Sequence, residues 1–182
     1  DNNTHTLATS YTDTAGNAGP AATTANYEVD TLVPIISSVT ASWGAYLNET
    51  EDDSSGTVTV VTSDAENSQT VTVSLNGTNY TGTVSDNSTT VTIAASGLQD
   101  LTDGSSYPLT TNVSDVAGNA ATENTGTSFT YDKTSPTLAE TTSVPSLTND
   151  NSTQYTFSSN EGGTISIGGS CSSDNSTAVA DN

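Results

Sequence analysis

The chain has 182 residues and sets one Lys or Arg against 21 Asp and Glu, a formal net charge of −20. That length allows one large or two small domains; the charge excludes nucleic acid, which is held through Lys and Arg on phosphate, and anionic lipid headgroups, leaving cations as partners. Only 31% of residues are apolar, below the ~45–50% of ordinary globular chains, but the polar mass is Thr, Ser and Asn alternating with Val and Ile, which reads as folded strands over thin cores rather than as disorder.

Met is absent, and no apolar run approaches the ~18 residues of a membrane span, so no membrane insertion is expected in this segment. Asp1-Asn2-Asn3-Thr4 is neither basic nor apolar and does not read as a signal peptide; the chain is expected to be an interior excerpt of something longer. Its strongest signal is internal. Asp13-Thr14-Ala15-Gly16-Asn17 returns as Asp115-Val116-Ala117-Gly118-Asn119 about 102 residues later, and the register runs on without a gap: Tyr27 falls on Phe129, Asp30 on Asp132 and Pro34 on Pro136. Repeats of this kind point to arrays. The two Asp-x-x-x-Pro segments read as linkers, because Pro ends strand pairing and stiffens a connection. Residues 1–33 are thus expected to be the back half of a module, 34–135 a complete module, and 136–182 the front half of a further one.

Within the complete module, period-two alternation predicts strands at Ile35–Ser42, Gly56–Thr62, Thr70–Leu75, Tyr80–Val84, Thr89–Ala94, Tyr107–Ser114 and Thr127–Asp132. In Thr57-Val58-Thr59-Val60 and Thr70-Val71-Thr72-Val73 the Val side chains are expected inside and the Thr side chains outside. Seven short strands separated by turn signals, with no helix of useful length, predict an all-β fold of tandem immunoglobulin-like Greek-key β-sandwich modules. The Asp-x-Ala-Gly-Asn pentapeptide fits a hairpin turn between the last two strands, with Asp opening a type I turn and Gly free to turn left-handed.

Three pieces of sequence, Val113-Ser114-Asp115-Val116-Ala117-Gly118-Asn119, Phe129-Thr130-Tyr131-Asp132 and Ser135-Pro136, resemble the bacterial Ig-like repeats of giant surface adhesins of the RTX and biofilm-associated type. The stretches Tyr155-Thr156-Phe157-Ser158-Ser159-Asn160-Glu161-Gly162-Gly163 and Gly168-Gly169-Ser170-Cys171 look like a shorter variety of the same class. The resemblance implies extender modules that hold a terminal adhesive domain away from the cell, often stiffened by Ca²⁺ between modules. Modules of the shorter type tend to carry a second Cys late in the module; residues 1–33 have none, so Cys171 either pairs beyond residue 182 or is free.

Catalysis is argued against by absence. One His (His5) and one Cys (Cys171) lie in different half-modules, giving no nucleophile beside a base and no zinc cluster. Lys133 is the only Lys and sits in a linker, which disfavours Lys–Asn isopeptide bonds. Calcium is the cofactor to expect, since it takes six to eight oxygen ligands. In a sandwich the loop after the second strand and the hairpin before the last strand share the end where the chain enters. That end would collect Asp30 from the linker, Asp64 and Glu66 from Ser63-Asp64-Ala65-Glu66-Asn67, and Asp115 from the hairpin. The next module offers Asp132 and Glu161, and Asp13 is the counterpart of Asp115 in the preceding half-module. The alternative is that Asp115 caps a turn while Asp64 and Glu66 are merely solvated. The acidic run from Glu49 to Asp53 reads as a solvated loop, or at most a weak cation site.

The leading expectation is a structural spacer, extracellular and at the cell surface, partnered by neighbouring Ig-like modules of the same chain or by copies of itself. Consecutive copies completing one another into a filament, by strand exchange between subunits, is the second reading. A ligand-binding adhesin module is the third; aromatic residues are few, and Trp43 is the best candidate for stacking on a sugar.

Overall fold

A computed structural model describes residues 3–23, 25–169 and 177–178, and divides the chain into two compact units, Asp1–Lys133 and Thr134–Asn182. The first unit opens with four short strands, β1 (Asn3–His5), β2 (Ala8–Thr9), β3 (Ala22–Thr23) and β4 (Tyr27–Val29), in which β1 pairs with β4 and β2 with β3, both antiparallel. The sandwich follows: β5 (Ile35–Ala41), β6 (Tyr46–Leu47), α1 (Glu49–Asp52), β7 (Gly56–Ser63), β8 (Thr70–Leu75), β9 (Thr78–Thr83), β10 (Ser88–Ile93), α2 (Ala95–Gln99), β11 (Ser106–Tyr107), β12 (Thr110–Val113), β13 (Asn124–Thr125) and β14 (Phe129–Tyr131).

Two sheets, of order β5-β7-β10 and β13-β12-β8-β9, face each other, and a third ladder has the order β6-β14-β11. Neighbours that are not consecutive in sequence are the crossovers of a Greek key, and the two sheets enclose one core, so the module is an Ig-like β-sandwich. The opening segment serves two ladders. It runs as β5 beside β7, turns at Gly44, where φ is +73°, and continues as β6, which lies parallel to β14. The alternation explains the inside of the sandwich: Val58, Val60, Val71, Val73, Val91 and Ile93 are fully buried, while Thr57, Thr59, Thr70 and Thr72 stand at the outer face or its margin. Asn76 and Gly77 link β8 to β9 with φ of +49° and +78°, the pair of left-handed conformations that a two-residue hairpin of matching twist requires.

The structure adds β6, α2 and β13, which the alternation did not predict, and it differs from the sequence expectation at two further places. The strand anticipated at Tyr107–Ser114 is broken into β11 and β12 at Pro108, which has no N–H to give to a ladder. The acidic run from Glu49 to Asp53 is not a solvated loop. Asn48 accepts hydrogen bonds from the Thr50 and Glu51 amides while Glu51 reaches back to the Asn48 amide, a capping box that closes α1. That single turn carries Asp52 into the interior, where its carboxylate accepts a hydrogen bond from the Tyr131 hydroxyl.

In the second unit β15 (Leu138–Thr142) pairs antiparallel with β16 (Thr156–Ser159), with a register shift between Glu140 and Thr142. β17 (Gly163–Thr164) pairs with β18 (Thr177–Ala178). Cys171 lies outside the described residues.

Candidate metal centre

The most connected polar cluster of the first unit is built on the pentapeptide hairpin Asp115–Asn119. The Gly118 amide donates to the Asp115 carbonyl at 3.3 Å, closing a four-residue turn, and Gly118 sits at φ +96°, as the left-handed position demands. The Asp115 carboxylate then staples the turn from within. It accepts from the Asn119 amide at 2.7 Å and from Asn119 Nδ2 at 2.8 Å. Burial pushes the Asp115 carboxyl up; the hydrogen bonds from the Asn119 side chain, then from the Asn119, Gly118 and Ala117 amides, more than offset this and hold it below 3.8.

Two further oxygens come to the same turn. Asn119 Nδ2 also donates to the Asp30 carbonyl at 3.1 Å, tying the linker to the hairpin across the chain. The Val116 amide donates to Glu66 Oε2 at 3.0 Å. Asp30, Glu66 and Asp115 therefore meet at one end of the sandwich, where the chain enters. Their oxygens are hard, charged or carbonyl donors of the kind calcium takes, but each already accepts from a protein N–H, and Asp30 turns its own carboxylate to the Leu32 amide at 2.9 Å. Among the described residues, no three His, Cys, Asp or Glu side chains stand close enough to hold a metal ion. A calcium ion at this end would draw on the lone pairs these carboxylates keep free and on oxygens from outside the group.

The other expected ligands have these surroundings. Asp64 is exposed at φ +60°, a left-handed position that Asp tolerates as β7 ends. Asp132 gives its amide to the Leu47 carbonyl at 2.9 Å, beside β6. Glu161, in the second unit, accepts from Asn160 Nδ2 at 3.2 Å and gives its amide to the Ser159 hydroxyl.

Asp13 repeats the geometry of Asp115. The Asn17 amide and Asn17 Nδ2 each donate to its carboxylate at 2.8 Å, and Gly16, at φ +92°, donates to its carbonyl at 3.1 Å. The Asn17 side chain is the main cause of its lowered pKa. The residue that sequence reasoning passed over is the Asn that ends each pentapeptide. Its recurrence as Asn17 and Asn119 was the available signal, since this side chain adds its own N–H to the backbone amides that bind the Asp carboxylate and, in the complete module, grips the linker. Trp43 offers no ring for stacking, because it is buried against Phe129 in an edge-on arrangement with centroids 5.1 Å apart.

No protein-family model matches the chain, and no curated protein matches it. Among solved structures it is similar to a 1.5-MDa bacterial ice-binding adhesin described for host cell surface retention, at 29% identity and TM-score 0.42 over 74% of this chain and 43% of that one. It is similar to a Ca²⁺-stabilized adhesin that helps an Antarctic bacterium reach out and bind ice, at 27% identity and TM-score 0.42 over 74% of this chain and 34% of that one. A bacterial immunoglobulin-like domain from the M. primoryensis ice-binding adhesin matches at 28% identity and TM-score 0.39, over 52% of this chain and 96% of that domain. The chain spans less than half the length of the first two structures. The Ig-like assignment itself rests on the strand order and core described above.

Proposed function

We propose that this chain is a spacer segment of a long extracellular surface adhesin, built from Ig-like modules strung end to end and stiffened by calcium at their joints. The observation that carries the reading is the repeated backbone. His5 pairs with Tyr27 as Tyr107 pairs with Phe129, Ala8 with Thr23 as Thr110 with Thr125, and Thr12 with Ala18 as Ser114 with Ala120. The same half-module is therefore laid down twice at one fixed interval, the organisation of a chain whose product is length. The hydrogen bond from Asn119 to the carbonyl of Asp30 ties the entering linker to the complete module and supports a restrained joint. An adhesin setting and a place at the cell surface come from the likeness to adhesin domains and form part of the proposal, as does the absence of an enzymatic role.

Calcium belongs to this reading because 21 carboxylates face one basic side chain, and repulsion among them is relieved by a bound cation. Thermal unfolding of the chain in millimolar calcium against chelator tests it. A saturable rise in Tm, about 2.7 kcal/mol of added stability at a hundredfold excess of calcium over its Kd and not reproduced by magnesium, is expected. An unchanged Tm removes calcium and leaves a spacer whose acidity serves solubility alone.

A further inference from the structure

Tension on the chain enters the complete module at Pro34 and leaves it at Lys133, so resistance depends on how the first and last segments are tied. The chain enters through β5, turns at Gly44 and continues as β6, which lies beside β14, the last strand of the module. The pairing of β6 with β14 is parallel, with Tyr46 opposite Thr130 and Leu47 opposite Tyr131. Every other pair of described strands is antiparallel.

Direction decides how a strand pair meets a pull. An antiparallel hairpin pulled by its neighbouring ends opens one hydrogen bond at a time. Parallel neighbours drawn out of opposite ends must slide along each other, and the evenly spaced bonds between them carry the load together. This is the situation here, since the pull reaches β6 from its N-terminal side and β14 from its C-terminal side. The Thr130 amide donates to the Ala45 carbonyl at 3.0 Å and the Asp132 amide to the Leu47 carbonyl at 2.9 Å. Whichever terminal segment yields first, this ladder breaks: β14 cannot leave without abandoning β6, and β6 cannot follow β5 without abandoning β14.

Three further features hold the ladder. Leu47, Phe129 and Tyr131 are at most 2% exposed, so on that side no water competes for its bonds, which are stronger for being dry. On its other edge β14 is held by β11 and the turn before it. There the Tyr131 amide donates to the Ser105 carbonyl at 3.0 Å, the Gly104 amide to the Tyr131 carbonyl at 2.8 Å, and the Lys133 amide to Asp103 Oδ1 at 3.0 Å. Across the ladder runs a side-chain bolt. Asp52, in the single turn α1 that follows β6, accepts from the Tyr131 hydroxyl, and the capping box of Asn48 and Glu51 fixes that turn to the end of β6.

We infer that β6 and β14, bolted by Asp52 and Tyr131, are the clamp that sets the force at which the module unfolds, and that the remaining core parts only after it. This deepens the spacer reading, on which it rests, and it needs no calcium.

Single chains held by their two ends at constant force, in chelator, test it with three variants. Deleting a contact that is already broken at the transition state speeds unfolding, whereas deleting one still formed there does not. Tyr131→Phe removes the bolt and is expected to open at least about tenfold faster at the same force. Asp52→Asn keeps a neutral acceptor and should fall between that variant and the unaltered chain. Val91→Ala, at a fully buried position on β10 in the same core, is the comparison. It lowers stability against urea through its cavity, but it lies among strands that part after the clamp, so its rate of opening under force should change less than about twofold. Urea unfolding of each variant measures the stability lost, so that opening rates are compared at known cost. Equal acceleration by Tyr131→Phe and Val91→Ala for the same stability lost, or acceleration by Val91→Ala alone, overturns the clamp. The spacer reading would stand in that case, because the module would still open in a discrete step.

Discussion

Trp43→Ala is expected to lower the stability of the complete module by about 3–5 kcal/mol, the usual range for deleting a buried large aromatic side chain. The ring joins the two halves of the core. It meets Phe129 edge-on, and it lies over Gly56 so closely that a Cβ there would come within 2.5 Å of Trp43 Cζ3. Glycine at the start of β7 thus makes room for the indole, and Gly56→Ala should cost about 1–3 kcal/mol through overpacking. The indole Nε1 is buried without a hydrogen-bond partner, so its N–H contributes nothing that Phe would lack. Trp43→Phe is therefore expected to retain much of the stability that Trp43→Ala loses. Urea or thermal unfolding separates the cases. Trp43→Ala should lower Tm by ~12 °C or more, at ~4–8 °C per kcal/mol for a domain of this size. Equal losses in Trp43→Ala and Trp43→Phe would contradict this expectation.

Tyr131→Phe should cost about 2–3 kcal/mol, because it strands a carboxylate. Asp52 is 5% exposed and takes a hydrogen bond from the Tyr131 hydroxyl; without that donor a buried charged acceptor is left short of partners. Asp52→Asn keeps an acceptor with no charge and should be milder. The pair also makes a prediction in pH. Burial, then the hydrogen bond and charge of Asp52, push the Tyr131 hydroxyl up to about 12 from an ordinary value of 10.0. A group whose folded-state pKa is raised contributes stability that is complete below its unfolded value and is lost as pH rises through the folded one. Stability should accordingly fall between about pH 10 and pH 12, and the fall should be shallower in Tyr131→Phe. Unfolding curves across that interval check it, and an equally steep decline in both proteins would contradict the assignment.

Much of the architecture is legible in the sequence because the alternation of Val with Thr carries it: Val58 and Val60, Val71 and Val73 could each be assigned to the interior from their spacing alone. The hairpin at Asp115 is legible for a different reason, since its turn chemistry is local and is printed twice. The end of the sandwich at which Asp30, Glu66 and Asp115 gather follows from strand order, and Asp30 from the linker and Glu66 from the loop after β7 both bond to the hairpin that carries Asp115. What spacing does not reveal is pairing at long range. Nothing around Asp52 marks it apart from Glu49, Glu51 and Asp53; it is set apart by Tyr131, 79 residues away, which only the fold brings to it. For the same reason the carboxylates of Asp30 and Asp115 could be listed as free ligands from sequence, while their engagement by Leu32 and Asn119 amides needed the turn geometry.

A spacer must hold its modules folded under tension, and stretching single molecules tests the proposed role directly. Held by its two ends, the chain is expected to extend in a discrete step of about 300 Å as residues 34–133 unfold, at ~3.3–3.6 Å per residue released, and to do so at higher force in calcium than in chelator. A smooth extension with no discrete step, at forces near those of an unfolded chain, would contradict the spacer reading.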